Sequence, residues 1–124
     1  YFAHLLQMCH TAYEEILIQR GIYLQKYLQQ GTIAIPIIHG EIDCLRPIFW
    51  GDLVLITLTP QFLSDTELLI TYQLTPEDRF SEGDALRASE TILAQGKTQH
   101  VCINPKTRRR VPFPQEFRSS LEQK

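Results

Sequence analysis

Apolar side chains recur at helical spacing through residues 3–20 of the chain. Positions three or four residues apart lie on one face of an α-helix. The apolar positions with this spacing are Leu5, Cys9, Ala12, Tyr13, Ile16 and Leu17, and Leu6, Met8 and Ile18 widen the apolar surface. A helix that is apolar over most of its circumference is usually buried. The pattern predicts one long buried helix that ends at Gly21, and a short second helix from Tyr23 to Gln29.

Beyond Gly31 the pattern changes from helical to extended. Residues 32–39 are rich in isoleucine, and residues 41–49 continue the extended run. Pro36 and Pro47 interrupt these segments, which is typical of an edge strand or a bulge because proline has no N–H group to donate. We therefore expect an irregular strand here, followed by a turn at residues 50–52.

Two further segments predict regular strands. Residues 53–59 are strongly β-prone, and we expect Pro60 to close that strand. Residues 67–74 alternate, so that one face of the strand is apolar and the other polar. The apolar positions of this strand are Leu68, Ile70, Tyr72 and Leu74.

The last third of the sequence predicts a loop, a long strand and a helix. Residues 75–84 form a polar loop, and residues 86–104 are long for one strand, so we expect a bend or bulge near Gly96. Residues 115–122 are expected to form a short exposed helix. A long helix followed by antiparallel strands indicates an α+β domain, in which a curved sheet wraps around the helix.

Composition limits the possible functions. The chain has 124 residues, a formal net charge of -2 and a pI of about 6.1, which fits one domain and argues against a nucleic-acid or membrane-surface protein. Three cysteines without a paired spacing argue against a disulfide scaffold. No apolar run approaches the roughly 20 residues of a membrane span, and no signal peptide is visible. We therefore expect a cytoplasmic protein.

Two motifs resemble signatures of the hotdog-fold 4-hydroxybenzoyl-CoA thioesterase family. Residues 1–6, Tyr-Phe-Ala-His-Leu-Leu, look like the end of the signature D-x-D-x-x-G-V-V-Y-F, which runs into the central helix of that family. Residues 36–52, from Pro-Ile-Ile-His to Gly-Asp, are similar to its second signature. The resemblance implies a hotdog fold, a helix enclosed by a curled antiparallel sheet, over nearly the whole of residues 1–124.

The resemblance also implies an activity. The segments Leu-Leu-Gln-Met-Cys-His and Thr-Gln-His-Val-Cys-Ile look closest to the cyanobacterial and plastid-type 1,4-dihydroxy-2-naphthoyl-CoA hydrolases, which act in phylloquinone (vitamin K1) biosynthesis. It implies an acyl-CoA thioesterase that works without a cofactor beyond the coenzyme A of its substrate. It further implies homodimers or homotetramers with pockets at the subunit interfaces.

The family's catalytic carboxylate has no counterpart in this sequence. The second Asp of D-x-D-x-x-G precedes the Tyr-Phe pair, so by the resemblance it falls before Tyr1, together with the first strand. We therefore expect residues 1–124 to be an N-terminally incomplete domain. A scaffold that binds acyl-CoA without hydrolysing it, or a thioesterase for another aryl or short acyl group, remains an alternative.

Several residues present in the sequence suit thioester chemistry. Tyr1 and Phe2 begin the predicted helix, where unpaired N–H groups and the helix dipole favour a developing oxyanion. The resemblance assigns that role to the Phe2 N–H group, and it places His39 at the pocket wall near the dimer seam. His4 is expected near the acyl group. The alternative is that these residues are ordinary first-turn and partly buried structural groups.

A basic cluster follows the last predicted strand. Lys106, Arg108, Arg109 and Arg110 put four cations within five residues, and coenzyme A carries a pyrophosphate and a 3′-phosphate that need such partners. The alternatives are a solvated basic loop or a weak nucleic-acid patch. Lys97 is a weaker candidate for the same task.

Other carboxylates and metal ligands are weaker candidates. Glu14 and Glu15 are expected to be solvated helix charges, and Asp43 and Asp52 to be turn or strand-end groups. No zinc-type spacing follows His100 and Cys102, so we expect no metal site.

Overall fold

The computed structural model describes residues 2–49, 51–77 and 92–122. Three helices lie in these ranges: α1 (Phe2–Gln19), α2 (Leu24–Gln30) and α3 (Gln115–Glu122). Four strands accompany them: β1 (Ile37–Cys44), β2 (Val54–Phe62), β3 (Glu67–Pro76) and β4 (Ala94–Val101). The predicted long helix, short second helix and alternating third strand are confirmed to within one or two residues.

The four strands form one antiparallel sheet in the order β1-β4-β3-β2. β3 pairs with both neighbours along most of its length, from Glu67 opposite Val101 to Leu74 opposite Ala94 on one side and from Val54 opposite Pro76 to Phe62 opposite Leu68 on the other. β1 and β2 are therefore the outer strands of the described sheet. This arrangement confirms the predicted α+β class.

Helix α1 packs against one face of the sheet, which we call the inner face. Four of its residues are at most 2% exposed, and they recur every four positions: Leu5, Cys9, Tyr13 and Leu17. Alternate residues of β3 meet them in the same core cluster: Leu68, Ile70, Tyr72 and Leu74. The period of the helix and the period of the strand therefore bury matching apolar surfaces, as the two patterns predicted.

Helix α1 is not enclosed on all sides, contrary to the prediction. Glu14, Glu15 and Ile18 are exposed. They belong to a second face, on which Gln7 and Thr11 also lie at helical spacing. The number of apolar residues suggested burial all round, but exposed positions at three- and four-residue spacing, all of them polar except Ile18, leave one side of the helix open.

Gly96 allows β1 and β4 to approach each other closely. A Cβ atom at this position would lie 2.5 Å from the Glu41 carbonyl oxygen and 3.2 Å from Ile42 Cα. The register nevertheless runs without interruption past Gly96, which pairs with Ile42 on one side and Tyr72 on the other. The predicted bulge near Gly96 is therefore wrong. The irregularity lies in β1 instead, between Ile37 and His39.

The prediction that Pro60 ends the second strand is wrong. β2 continues to Phe62, and Pro60 pairs with Ile70. Because β2 has a described neighbour on one side only, a proline can occupy it with its missing N–H group directed away from β3. The neighbouring turn is as predicted: Gly51 has φ 92°, and the Asp52 N–H group donates to the Phe49 carbonyl oxygen at 3.0 Å. Trp50 lies outside the described residues.

The terminal helix α3 is packed, not exposed as predicted. Its residues Phe117, Ser120 and Leu121 are buried. The Phe117 ring stacks on Phe113 at 5.2 Å, and both rings meet Phe62 of β2 edge-on. The other residues of this short segment are mostly polar, but the aromatic ring on one face fixes the helix to the core.

Two further predicted elements have different bounds. β1 starts at Ile37, and Ala34 makes an isolated bridge to Ile103 before it. The extended run predicted up to residue 49 leaves the sheet after Cys44. The last strand covers residues 94–101, and the earlier part of the predicted strand, with most of the predicted loop, falls on residues 78–91, outside the described part of the chain.

Candidate functional site

The N-terminus of α1 carries N–H groups that the helix itself does not use. Phe2 is its first residue, and its first turn contains no acidic side chain. The first N–H groups of a helix lack internal acceptors, and the helix dipole makes this end positive. Leu5, buried at 2% exposure, fixes the first turn to the core. This end of the helix can therefore donate to a carbonyl or an anion. The oxyanion role expected of Phe2 stays a prediction, and Tyr1 lies outside the described residues.

His39 lies on the face of the sheet opposite to α1. The Ile42 side chain is buried on the inner face, so the alternation of β1 directs His39, Glu41 and Asp43 to the outer face. The His39 side chain is 57% exposed, and its Nε2 lies 3.5 Å from Glu41 Oε1. One chain therefore does not place His39 beside the N-terminus of α1.

Glu41 is a charged residue that the sequence reasoning missed. Its Oε1 accepts a hydrogen bond from Lys97 Nζ at 3.1 Å. This contact with Lys97, followed by the contact with His39, lowers the pKa of the Glu41 carboxyl. The separation of two residues between His39 and Glu41 in a strand was a signal for a shared face. Glu41, Asp43 and Lys97 border a polar depression of about 310 Å³, whose lining does not include His39.

The predicted basic residues lie on a tight turn after β4, which we call the cationic turn (residues 104–110). Lys106, Arg108, Arg109 and Arg110 are all exposed. Arg110 forms an ion pair with Glu67 of β3. Within the described ranges no carboxylate pairs with Lys106, Arg108 or Arg109. Three of the four predicted cations are thus available to an anionic ligand, and the fourth is bound to the sheet.

Glu67 connects the cationic turn to the outer face of the sheet. One of its carboxylate oxygens binds Arg110, and the other accepts a hydrogen bond from Gln99 Nε2 at 3.0 Å. Gln99 of β4 in turn pairs with His39 of β1. The structure therefore brings His39 and Arg110 of the cationic turn to one face of the sheet, and leaves Phe2 on the helix side.

A second polar group lies in the core around His100, which the sequence analysis considered only as a metal ligand. The Thr98 hydroxyl is 2.9 Å from Tyr72 Oη and 2.8 Å from His100 Nε2. The Tyr13 ring lies on His100 with a centroid distance of 4.7 Å. Burial, followed by the charge of His10, lowers the pKa of His100 to about 4. His100 is therefore neutral at ordinary pH and acts in the core as a structural group.

The weaker candidates occupy separate places. Glu14 of α1 accepts from His10 Nε2 at 2.6 Å on the solvent side, and the Asp52 carboxylate accepts from the Phe49 N–H group at 2.8 Å. Both contacts agree with the structural roles predicted for these carboxylates. His4 lies exposed on the first turn of α1, beside Phe2 in sequence.

The described residues contain neither a metal-binding cluster nor a membrane-spanning helix. Among them, no group of three or more His, Cys, Asp or Glu side chains is arranged to hold a metal ion. None of the helices in the described ranges is long and apolar enough to cross a membrane.

The sequence matches a known family and named relatives. A model of the family described as the thioesterase-like superfamily matches residues 1–121. A 1,4-dihydroxy-2-naphthoyl-CoA hydrolase from Rippkaea orientalis is 41% identical over 122 residues, which cover 98% of this chain and 82% of that protein. A hydrolase of the same name from Picosynechococcus is 43% identical over 114 residues, 92% of this chain and 74% of that protein.

A solved structure is similar to the chain in both fold and sequence. The crystal structure of a 1,4-dihydroxy-2-naphthoyl-CoA thioesterase from Synechocystis superimposes with a TM-score of 0.86 at 32% identity. The likeness covers 98% of this chain and 81% of that one. The common fold with a thioesterase confirms the predicted hotdog arrangement of one long helix against a curled antiparallel sheet.

Proposed function

Because the chain belongs to the thioesterase-like superfamily, we propose that it is an acyl-CoA thioesterase that hydrolyses an aromatic acyl-CoA, namely 1,4-dihydroxy-2-naphthoyl-CoA. The observation that carries this proposal is the identity of 41% with a hydrolase of that name, over 98% of the chain. The Synechocystis thioesterase, with its TM-score of 0.86, supports the same substrate class. A role in phylloquinone biosynthesis follows from this substrate and stays a prediction.

The N-terminus of α1 supplies the electrophilic part of the proposed reaction. Attack on a thioester places negative charge on the carbonyl oxygen, and fixed N–H donors lower the barrier by stabilising that charge. The Phe2 N–H group meets this need, since it begins a helix without an acidic side chain in its first turn. Tyr1 and His4 border the same position in sequence, where we place the acyl group.

The cationic turn supplies the grip on coenzyme A. Guanidinium groups bind phosphate oxygens in pairs, and an ammonium group binds them as a point charge. Lys106, Arg108 and Arg109 are exposed and face no described carboxylate. We therefore assign the phosphates of coenzyme A to these three residues, and assign to Arg110 the structural contact with Glu67.

His39 enters the proposal through a second subunit. Because His39 and α1 lie on opposite faces of the sheet, a site that uses both must combine residues of two chains. The outer edge of β1 has no neighbouring strand among the described residues, and this edge and the exposed Ile37 and Ile38 suit contact with another chain. A homodimer or homotetramer with sites between subunits, as the resemblance implies, stays a prediction.

The experiment is release of free coenzyme A thiol from 1,4-dihydroxy-2-naphthoyl-CoA and from benzoyl-CoA. It compares the chain of residues 1–124 with the same chain preceded by the D-x-D-x-x-G motif and first strand of the family. We expect turnover of the naphthoyl substrate by the extended protein, because the attack on the thioester needs a carboxylate.

Three other outcomes would change the proposal. Turnover by residues 1–124 alone would move the catalytic carboxylate to a residue of this chain, with Glu14, Glu15, Glu41 and Asp43 as the groups to substitute. Binding of coenzyme A without turnover by either protein would indicate a non-catalytic acyl-CoA-binding module. Faster turnover of benzoyl-CoA would leave the thioesterase class intact and overturn the naphthoyl substrate.

A further inference from the structure

We propose that Asn104 is a positioning residue for coenzyme A: it builds the cationic turn and so fixes the direction of Lys106, Arg108 and Arg109. Asn104 itself does not touch the ligand. The inference rests on the proposed function, because it assigns to Asn104 the task of ordering the turn that binds the phosphates of coenzyme A.

Asn104 holds the cationic turn through its side chain and both of its backbone groups. Its Oδ1 accepts from the N–H groups of Lys106 at 2.8 Å and Thr107 at 3.2 Å. Its carbonyl oxygen accepts from the Arg108 N–H group at 2.7 Å, and its own N–H group donates to the Arg109 carbonyl oxygen at 2.9 Å. These four bonds join Asn104 to four of the next five residues, and two of the bonds depend on the side chain.

Arg108 adopts a backbone conformation that needs such support. Its φ is 60°, and it is the only non-glycine residue of the described chain in the left-handed region. This region costs a side-chain-bearing residue free energy that glycine avoids. The Asn104 carbonyl bond to the Arg108 N–H group holds the turn in this shape. An arginine rather than a glycine at this strained position has a reason if the Arg108 guanidinium group binds a ligand.

The base of the cationic turn is fixed to the sheet. Ile103 makes isolated antiparallel bridges to Ala34 on one side and to Arg110 on the other. Glu67 then binds the Arg110 guanidinium and Gln99 together. Both ends of the turn are therefore anchored, and the side chain of Asn104 supplies two of the four hydrogen bonds by which Asn104 holds the backbone between them.

A surface that is ordered before binding loses less conformational entropy when the ligand arrives. Loss of the Asn104 side-chain bonds leaves the three cations in place but disorders the backbone that carries them. We expect Asn104→Ala to weaken coenzyme A binding about tenfold. A loss of this size equals the free-energy cost of ordering one or two side chains when the ligand binds. Asn104→Ser keeps a short oxygen acceptor and is expected to remain within about threefold of the unmodified protein.

The test measures dissociation constants of coenzyme A and of pantetheine, which lacks the nucleotide phosphates, by calorimetry on the full protein. Asn104→Ala and Asn104→Ser are compared with the double variant Arg108→Gln, Arg109→Gln. Hydrogen exchange at the Lys106 and Thr107 amides is followed in parallel. The expected result is weaker coenzyme A binding by Asn104→Ala, unchanged pantetheine binding, and faster exchange at these two amides.

The outcomes separate this inference from the proposed function. Normal coenzyme A affinity in Asn104→Ala, with weak affinity in the double arginine variant, overturns the role of Asn104 and leaves the thioesterase proposal standing. An equal loss of pantetheine affinity also overturns it, because the effect is then a general loss of structure. Normal coenzyme A affinity in the double arginine variant overturns both this inference and the assignment of the phosphates to the cationic turn. Absence of both coenzyme A binding and hydrolysis in the unmodified protein overturns the proposed function itself.

Discussion

At the scale of single residues, the Phe2 N–H group can be removed without removing the helix. Proline has no N–H group but is tolerated at the first position of a helix, which Phe2 occupies. In the protein extended by the family's D-x-D-x-x-G motif and first strand, we expect Phe2→Pro to lower kcat about 100-fold, as loss of one oxyanion donor does elsewhere, with a nearly unchanged Tm. The measurement is steady-state hydrolysis of the naphthoyl substrate together with thermal unfolding.

The matched control for this substitution is Phe2→Ala, which removes the ring and keeps the N–H group. Similar kcat values for the two variants would show that the backbone donor at this position has no part in catalysis. A fall in kcat confined to the proline variant would support it.

The buried side chain of His100 is expected to make the stability of the fold depend on pH. The pKa of His100 falls from 6.5 to about 4 on burial, so between these pH values the unfolded chain binds one proton more than the folded chain. Stability therefore decreases as the pH falls from about 6.5 to about 4, by on the order of 3 kcal/mol for this group. Denaturant unfolding at a series of pH values measures the effect.

Two variants assign this effect to His100. His100→Gln should flatten the pH dependence in that range, because the substituted amide does not titrate. His10→Gln, at a half-buried position of α1, should leave most of the dependence in place, because burial is the larger cause of the lowered pKa of His100. A flat profile in the unmodified protein would contradict the prediction.

At the scale of elements, the closeness of β1 and β4 depends on Gly96. An alanine Cβ at this position would lie 2.5 Å from the Glu41 carbonyl oxygen. This oxygen belongs to the backbone, so no side-chain rotation can relieve the clash. We expect Gly96→Ala to lower the free energy of unfolding by about 2 kcal/mol, the typical cost of forcing an extra carbon into a packed site.

Gly40 of β1 offers a matched glycine in the same pair of strands. A Cβ there would meet only the Thr98 Cγ2 atom, at 3.8 Å, an ordinary contact. Gly40→Ala is therefore expected to change the free energy of unfolding by less than about 1 kcal/mol. Urea unfolding of both variants distinguishes a local close approach at Gly96 from a general intolerance of alanine in these strands.

At the scale of the whole molecule, α3 joins the end of the chain to the core. Phe117 is 0% exposed and contacts both Phe62 and Phe113. We expect Phe117→Ala to cost about 3–5 kcal/mol in the free energy of unfolding, as for other buried aromatic residues. Glu122→Ala in the exposed last turn should change it by less than about 0.5 kcal/mol. Equal, small effects in denaturant unfolding would mean that α3 does not contribute to the core.

Assembly belongs to the same scale. His39 lies on the outer face of the sheet, whereas the Phe2 N–H group lies at the end of the helix that covers the inner face. A catalytic site that contains both groups requires a second chain, so the proposed mechanism predicts activity in an oligomer. This relation follows from the alternation of β1, in which Ile42 is buried and His39 is exposed.

The sequence by itself determined the elements whose signals are local. The four-residue spacing of Leu5, Cys9, Tyr13 and Leu17 and the alternation from Leu68 to Leu74 each specify a buried face, because side-chain direction repeats with the backbone period. The motif at residues 36–52 predicted the family, and the cluster at residues 106–110 predicted the basic turn. Both signals consist of residues that lie close together in the sequence.

Only the tertiary structure decided which groups meet across distant parts of the chain. Arg110 pairs with Glu67, Glu41 with Lys97, and Phe117 with Phe62, and no local period relates these partners. The same limit explains the errors at Pro60, Gly96 and α3. Whether proline ends a strand depends on which neighbour the strand has, and whether glycine marks a bulge or a close approach depends on the backbone opposite to it. Such contacts are set by the packing of the whole chain, which fixes positions that the linear sequence leaves free.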